Sequence, residues 1–169
     1  MLAGTVNRMP KPPDAGARDR VAISNRRARH EYFILDTYDC GIVLVGSEVK
    51  SIRDGRATLS DAYARIEHGE VWLHGMHISP YPFSRDNPDP DRKRKLLLHR
   101  NEIDRIMSKL TEAGLTMVPL KIFFQNGVAK IELAVVRGKQ QWDKRQTMAE
   151  RDANREADRA MRNRNRGGD

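Results

Sequence analysis

A single cysteine, Cys40, stands in 169 residues, so an intramolecular disulfide is excluded. A lone thiol fits a reducing cytoplasm, and its place beside Gly41 reads as a small residue in a turn rather than a nucleophile. No apolar run approaches the roughly 18–20 residues of a membrane span. Met1-Leu2-Ala3-Gly4 leads into Pro10, Pro12 and Pro13 without the apolar stretch of a signal peptide. There is no Gly-rich loop ending in Lys-Ser/Thr to cradle phosphates, and no Ser/His/Asp signature. His74 and His77 are separated by two residues, but no companion pair has zinc spacing and Cys40 is distant. No two carboxylates stand out as a general acid and base. These gaps point to a cytoplasmic protein that is not an enzyme and needs neither metal nor cofactor.

What the chain does have is positive charge, placed at its ends. Residues 1–30 hold seven Lys/Arg against two Asp/Glu, and residues 139–169 hold nine against six. The 108 residues between them balance at fifteen of each sign. A neutral body with two basic arms is a design for gripping a polyanion such as RNA. Charged residues make up 32% of the chain and hydrophobic ones 38%, so apolar material suffices for one modest core.

Local patterns divide the chain into an N-terminal arm over residues 1–23, a folded body over 24–138 and a tail over 139–169. The arm lacks apolar periodicity and is rich in Pro, Gly and charge, which predicts disorder. Glu31 to Tyr38 carries strand residues; Asp39-Cys40-Gly41 reads as a turn, and Ile42 to Val45 as a short buried strand. From Gly46 to Arg53 the pattern leaves a strand extension and a short helix open, and Asp54-Gly55 marks a turn. His68-Gly69 and Asn126-Gly127 are hairpin signals between strand-like segments. Residues 80–95, with Pro80, Pro82, Pro88 and Pro90, predict a long mobile loop that ends in the basic run Arg92 to Lys95. Ile103, Ile106, Met107 and Leu110 repeat at helical spacing before Gly114. About six short strands and one core helix predict a mainly β fold, a small antiparallel barrel of the oligonucleotide/oligosaccharide-binding (OB) type with flanking helices. In the tail, good helix formers carry only Ala149, Ala153, Ala157, Ala160 and two methionines as an apolar face, which predicts a segment disordered when free and helical when bound.

Three strings bear on RNA. Asn25-Arg26-Arg27-Ala28-Arg29-His30 offers guanidinium groups for phosphate, or is a solvated basic flank. Gly46-Ser47-Glu48-Val49-Lys50-Ser51-Ile52-Arg53 offers Lys50 and Arg53 to phosphates and Glu48 to a base edge or 2′-hydroxyl, or closes an internal salt bridge. Gly138-Lys139-Gln140-Gln141-Trp142-Asp143-Lys144-Arg145 sets a tryptophan among cations, either to anchor the tail or to stack on a base.

Together with Arg94-Lys95-Leu96-Leu97-Leu98, these strings resemble, in order over roughly residues 24–160, the family of small protein B, the bacterial tmRNA (SsrA) RNA-binding proteins. The resemblance implies an OB-type barrel with flanking helices. It also implies binding of the tRNA-like end of tmRNA and its delivery to stalled ribosomes, where the incomplete peptide is tagged for degradation. Carried onto this sequence, tmRNA contacts fall on Asn25, Asp39, Glu48, Lys50 and Leu97, with Arg26, Arg27 and Arg29 nearby. Contacts of the tail with small-subunit RNA at the decoding centre fall on Lys139, Trp142, Asp143, Lys144 and Arg145. The family's Glu-Ala-Gly is Asp39-Cys40-Gly41 here, its second lysine after Gly-Lys is Gln140, and Trp142 stands where an aromatic residue or histidine is usual. The expected partners are tmRNA and the ribosome, met as a monomer and away from any membrane. A general single-strand-binding or ribosome-associated OB module is the alternative, with a magnesium-dependent nuclease behind it.

Overall fold

The computed structural model describes residues 20–166. Most of the arm expected to be disordered, residues 1–19, therefore lies outside the described residues. The folded body starts before Ser24, with strand β1 at Arg20–Ser24. Then come α1 (Arg26–Glu31), β2 (Tyr32–Ile42), α2 (Gly46–Arg53), β3 (Ala57–Thr58), β4 (Tyr63–Glu67), β5 (Glu70–His74) and β6 (His77–Ile78). The chain continues through β7 (Arg94–Leu97), α3 (Arg100–Leu110), β8 (Leu115–Gln125), β9 (Val128–Gly138) and α4 (Gln141–Arg166).

The fold is mainly β. Strands β8, β4, β5, β7, β2 and β9 pair in that order, and β9 pairs back onto β8, so six antiparallel strands close a ring. β1 adds to β8 as a seventh strand, and β3 pairs with β6 apart from the ring. Both predicted hairpins form. His68 and Gly69 join β4 to β5, and Asn126 and Gly127 join β8 to β9, each pair with positive φ at both positions. That is the backbone a two-residue hairpin loop requires.

The ring encloses Ile42, Leu73, Leu96, Ile131, Leu133 and Val135, and α3 closes it with Ile103 and Ile106. Of the predicted helical stripe, only Met107 stays exposed. Alternation on β9 breaks at Leu133 to Val136, where four successive residues are buried. Leu133 and Val135 face the ring interior, while Ala134 and Val136 lie under α1 with Ala28, Val118 and Leu120. A strand covered on both faces reads as a continuous apolar run.

Residues 39–41 form no turn. β2 runs through them, with Cys40 opposite Ile131 and Gly41 opposite both Leu97 and Lys130. Burial pushes the Cys40 thiol up to about 12, so it is an inert core residue. Val43 to Val45 is not a buried strand either, since Val43 and Val45 are exposed and lead into α2. The open choice over residues 46–53 resolves as helix. Arg94 and Lys95 belong to a strand rather than to the preceding loop.

Gly75 follows β5 with φ of +72°, and a Cβ there would lie 2.6 Å from the Asp61 carbonyl oxygen. Gly75→Ala is expected to destabilise the fold by about 1–3 kcal/mol from backbone strain alone. The contact adds to that figure, and urea unfolding measures the sum.

Candidate nucleic-acid interface

The basic string at residues 25–30 is mostly helix α1. Ala28 is its only buried residue and sits on the β8–β9 face, so Arg26, Arg27 and Arg29 stand in solvent. Asn25 caps the helix, its Oδ1 accepting the Ala28 N–H at 3.2 Å. Both hydrogens of its Nδ2 are committed, one to the Leu59 carbonyl at 3.2 Å and one to the Pro119 carbonyl at 2.9 Å. Asn25, expected to contact RNA directly, is 5% exposed and holds the start of the helix that carries the arginines. Arg27 is itself shared, 2.8 Å from Glu31 and 3.3 Å from Asp61. Those carboxylates raise its pKa, the hydrogen bond to Glu31 first.

Glu48 is likewise closed. It is 3% exposed and sits between Arg92 and Arg94, the latter 0% exposed. Its Oε1 accepts from Arg92 Nε at 3.0 Å and from Arg94 Nε and Nη2 at 3.0 and 2.8 Å, while its Oε2 accepts the Val45 N–H at 3.0 Å. Burial opposes ionisation here. Even so, the hydrogen bonds from Arg92, Val45 and Arg94 hold the carboxyl below its ordinary range. Arg94 also donates to the carbonyls of Met76, Pro90 and Arg92, so one buried guanidinium gathers the ends of the long loop. The internal salt bridge is therefore the structure of this motif, and the 92–95 run is not one continuous cationic surface.

Lys50, on the opposite side of α2, is exposed, with its Nζ 5.5 Å from the centre of the Tyr81 ring. Asp39 is exposed on β2. Leu97 is 52% exposed and leans over Gly41, whose missing Cβ would stand 3.2 Å from the Leu97 Cβ. That close approach between strands is why a glycine stands at 41. Asp39 and Gly41 share one face of β2, so Asp39 and Leu97 lie together there, one strand apart.

The tail is helical over Gln141–Arg166, 26 residues and about 39 Å of length. Its root is fixed. The Lys139 N–H donates to the Glu31 carbonyl at 2.8 Å, and Lys139 Nζ lies 3.3 Å from the Arg29 carbonyl and 5.0 Å from the Phe33 ring centre. A cation at the C-terminal end of α1 is also favoured by that helix's dipole. Asp143 accepts the Gln140 N–H at 3.2 Å and so caps the start of α4. Lys139 and Asp143 are thus structural joints, whereas Arg145 and every side chain from Met148 to Asn163 stand in solvent. Trp142 lies in the first turn of α4, and Lys144 is half-buried.

The two histidines diverge, His74 to Glu67 and His77 to Asp91, each at 2.8 Å. Among the described residues no cluster of three or more His, Cys, Asp or Glu is placed to hold a metal ion. No described helix is long and apolar enough to cross a membrane.

A neutral closed ring with guanidinium groups on a docked helix and a cationic helix rooted beside it has the makeup of a small RNA-binding protein. The model of the SmpB protein family matches residues 22–163, and the chain belongs to that family. It is 55% identical over 151 residues to the SsrA-binding protein of Moorella thermoacetica, covering 88% of this chain and 97% of that one. It is 53% identical over 155 residues to the SsrA-binding protein of Thermobifida fusca, covering 91% and 97%. A solved chain from the work "tmRNA-SmpB: a journey to the center of the bacterial ribosome" is 47% identical, with a TM-score of 0.61, over 75% of this chain and 93% of that one.

Proposed function

We propose that this protein binds the tRNA-like domain of tmRNA and delivers it to stalled ribosomes for trans-translation, acting in the cytoplasm as a monomeric, non-enzymatic factor without metal or cofactor. One observation carries the reading: the family match runs unbroken from the ring into the helical tail, so both parts serve one task. In this reading the ring is an OB-type barrel, and the folded body that contains it, with β1 and the flanking helices, runs from Arg20 to Gly138. Its exposed Arg26, Arg27, Arg29, Asp39, Lys50 and Leu97 face tmRNA, with Asn25 and Glu48 holding the elements that present them.

From Lys139 onward the tail addresses the ribosome. Trp142, Lys144 and Arg145 meet small-subunit RNA in the decoding centre, and Lys139 and Asp143 set the direction of the helix. The tail's outer turns fray in the free protein and firm up in the message channel, because their side chains have nothing to pack against.

The test is a tagging assay on message that lacks a stop codon, joined to binding of the isolated tRNA-like RNA. Lys50→Glu is expected to weaken that binding and to lower its salt slope by about one. Binding measured between 50 and 200 mM salt reads both, and an unchanged slope removes Lys50 from the phosphate contacts.

A further inference from the structure

The segment between β6 and β7 is built rather than slack. Pro80, Pro82, Pro88 and Pro90 fix φ at four positions. The Asn87 side chain closes the tip on itself: its Oδ1 accepts the Tyr81 N–H at 2.9 Å, and its Nδ2 donates to the carbonyls of Tyr81 and Ser84 at 3.1 and 3.2 Å. The tip is tied to α2 by Ser47 Oγ, which donates to the Asp86 carbonyl at 3.4 Å. The base is tied by the Ile78 N–H, which donates to the Pro90 carbonyl at 3.0 Å. The long loop expected over this stretch is tied at its tip and at its base.

Phe83 stands on this tip, 87% exposed, more than any other large hydrophobic side chain among the described residues. Its ring meets that of Tyr81 edge to face, with centroids 5.6 Å apart and planes at 66°. Tyr81 in turn carries Lys50 Nζ 5.5 Å from its ring centre. A scattered apolar side chain on a surface needs no explanation. Here a rigid loop holds an open aromatic face beside a second ring and an ammonium group, the pairing of stacking surface and phosphate partner that single-stranded nucleic acid uses.

We propose that Phe83 and Tyr81 form a stacking platform for one unpaired base of the bound RNA, with Lys50 on an adjoining phosphate. The inference rests on the tmRNA reading above and adds a contact made by ring stacking rather than charge. The sequence pointed to Lys50 but not to these two rings, which a proline-rich loop hides.

The full-length chain is titrated with the tRNA-like domain of tmRNA. Phe83→Ala and Phe83→Leu are each expected to weaken binding about tenfold with the salt slope unchanged, and Phe83→Trp to keep the native affinity. The Phe83→Trp chain also gains indole fluorescence that RNA quenches, beyond the change seen with the native chain. The side chain is exposed, so all three variants should melt with the native protein. Native affinity in Phe83→Ala, or rescue by the non-aromatic Leu, overturns the platform and leaves the tmRNA reading standing. Failure of the native chain to bind this RNA overturns both.

Discussion

Ending the chain after Gln140 is expected to leave binding of the tRNA-like RNA within about twofold of the full-length protein while peptide tagging on non-stop message falls to background. The boundary matters. Lys139 bonds the Glu31 and Arg29 carbonyls and lies against Phe33, so a cut after Gly138 would also loosen the end of α1. With Lys139 retained, the missing part is a helix whose side chains from Met148 to Asn163 stand in solvent. The cut removes the contacts of Lys139 with Thr147 at 3.5 Å and of Gln140 with Asp143 at 3.2 Å, both at the joint and away from α1 and the ring. Sites so weakly coupled add to within a few tenths of a kcal/mol, which is the source of the twofold limit. Gel-shift titration and tagging of a reporter peptide measure the two halves. A loss of RNA affinity that matches the loss of tagging would place α4 on the tRNA-like domain instead.

Glu48→Gln is expected to cost about 3–5 kcal/mol of stability, because it strands two guanidinium groups, one of them fully buried. The acid dependence follows from the depressed carboxyl of Glu48. A group whose folded pKa lies below its unfolded value stabilises fully above the unfolded value, about 4.3 for Glu. That contribution is lost as the pH falls through the lower folded value. The gap between native and variant chains in urea unfolding should therefore be complete at pH 7 and narrow steadily below about pH 4. Replacing Glu48 and Arg94 together should cost less than the two single losses combined, since the partners are in contact. The same change should free the long loop, whose ends Arg94 holds through the carbonyls of Met76 and Pro90.

Elements specified by neighbouring residues were legible before folding was considered. The hairpins at His68-Gly69 and Asn126-Gly127 depend only on residues that accept positive φ, and the stripe on α3 depends on spacing. Asp39-Cys40-Gly41 misled for the opposite reason. Its glycine serves Leu97, 56 positions further on, and a local rule reads any such residue as a bend. The apolar stretch after it misled too, since Val43 and Val45 look like a buried strand until Glu48, capping Val45 N–H, turns the chain into α2.

The candidate site divides along the same line. Residue types told where cations cluster, and Arg26, Arg29 and Lys50 are indeed in solvent. Which polar groups are spent inside the protein depends on partners far along the chain. Asn25 meets Pro119, and Glu48 meets Arg92 and Arg94. In β7 a period of two sends Arg94 and Leu96 inward and leaves Leu97 outward. That alternation was available in the sequence once the segment was taken as a strand rather than as loop.

The fixed root of α4 turns the tail into a lever. Over a helix about 39 Å long, a tilt of about 10° at Lys139 carries the far end sideways by about 7 Å. Small differences in packing around Phe33 and the end of α1 therefore set where the tip arrives. Aim, and not only charge, is what the Lys139 joint controls.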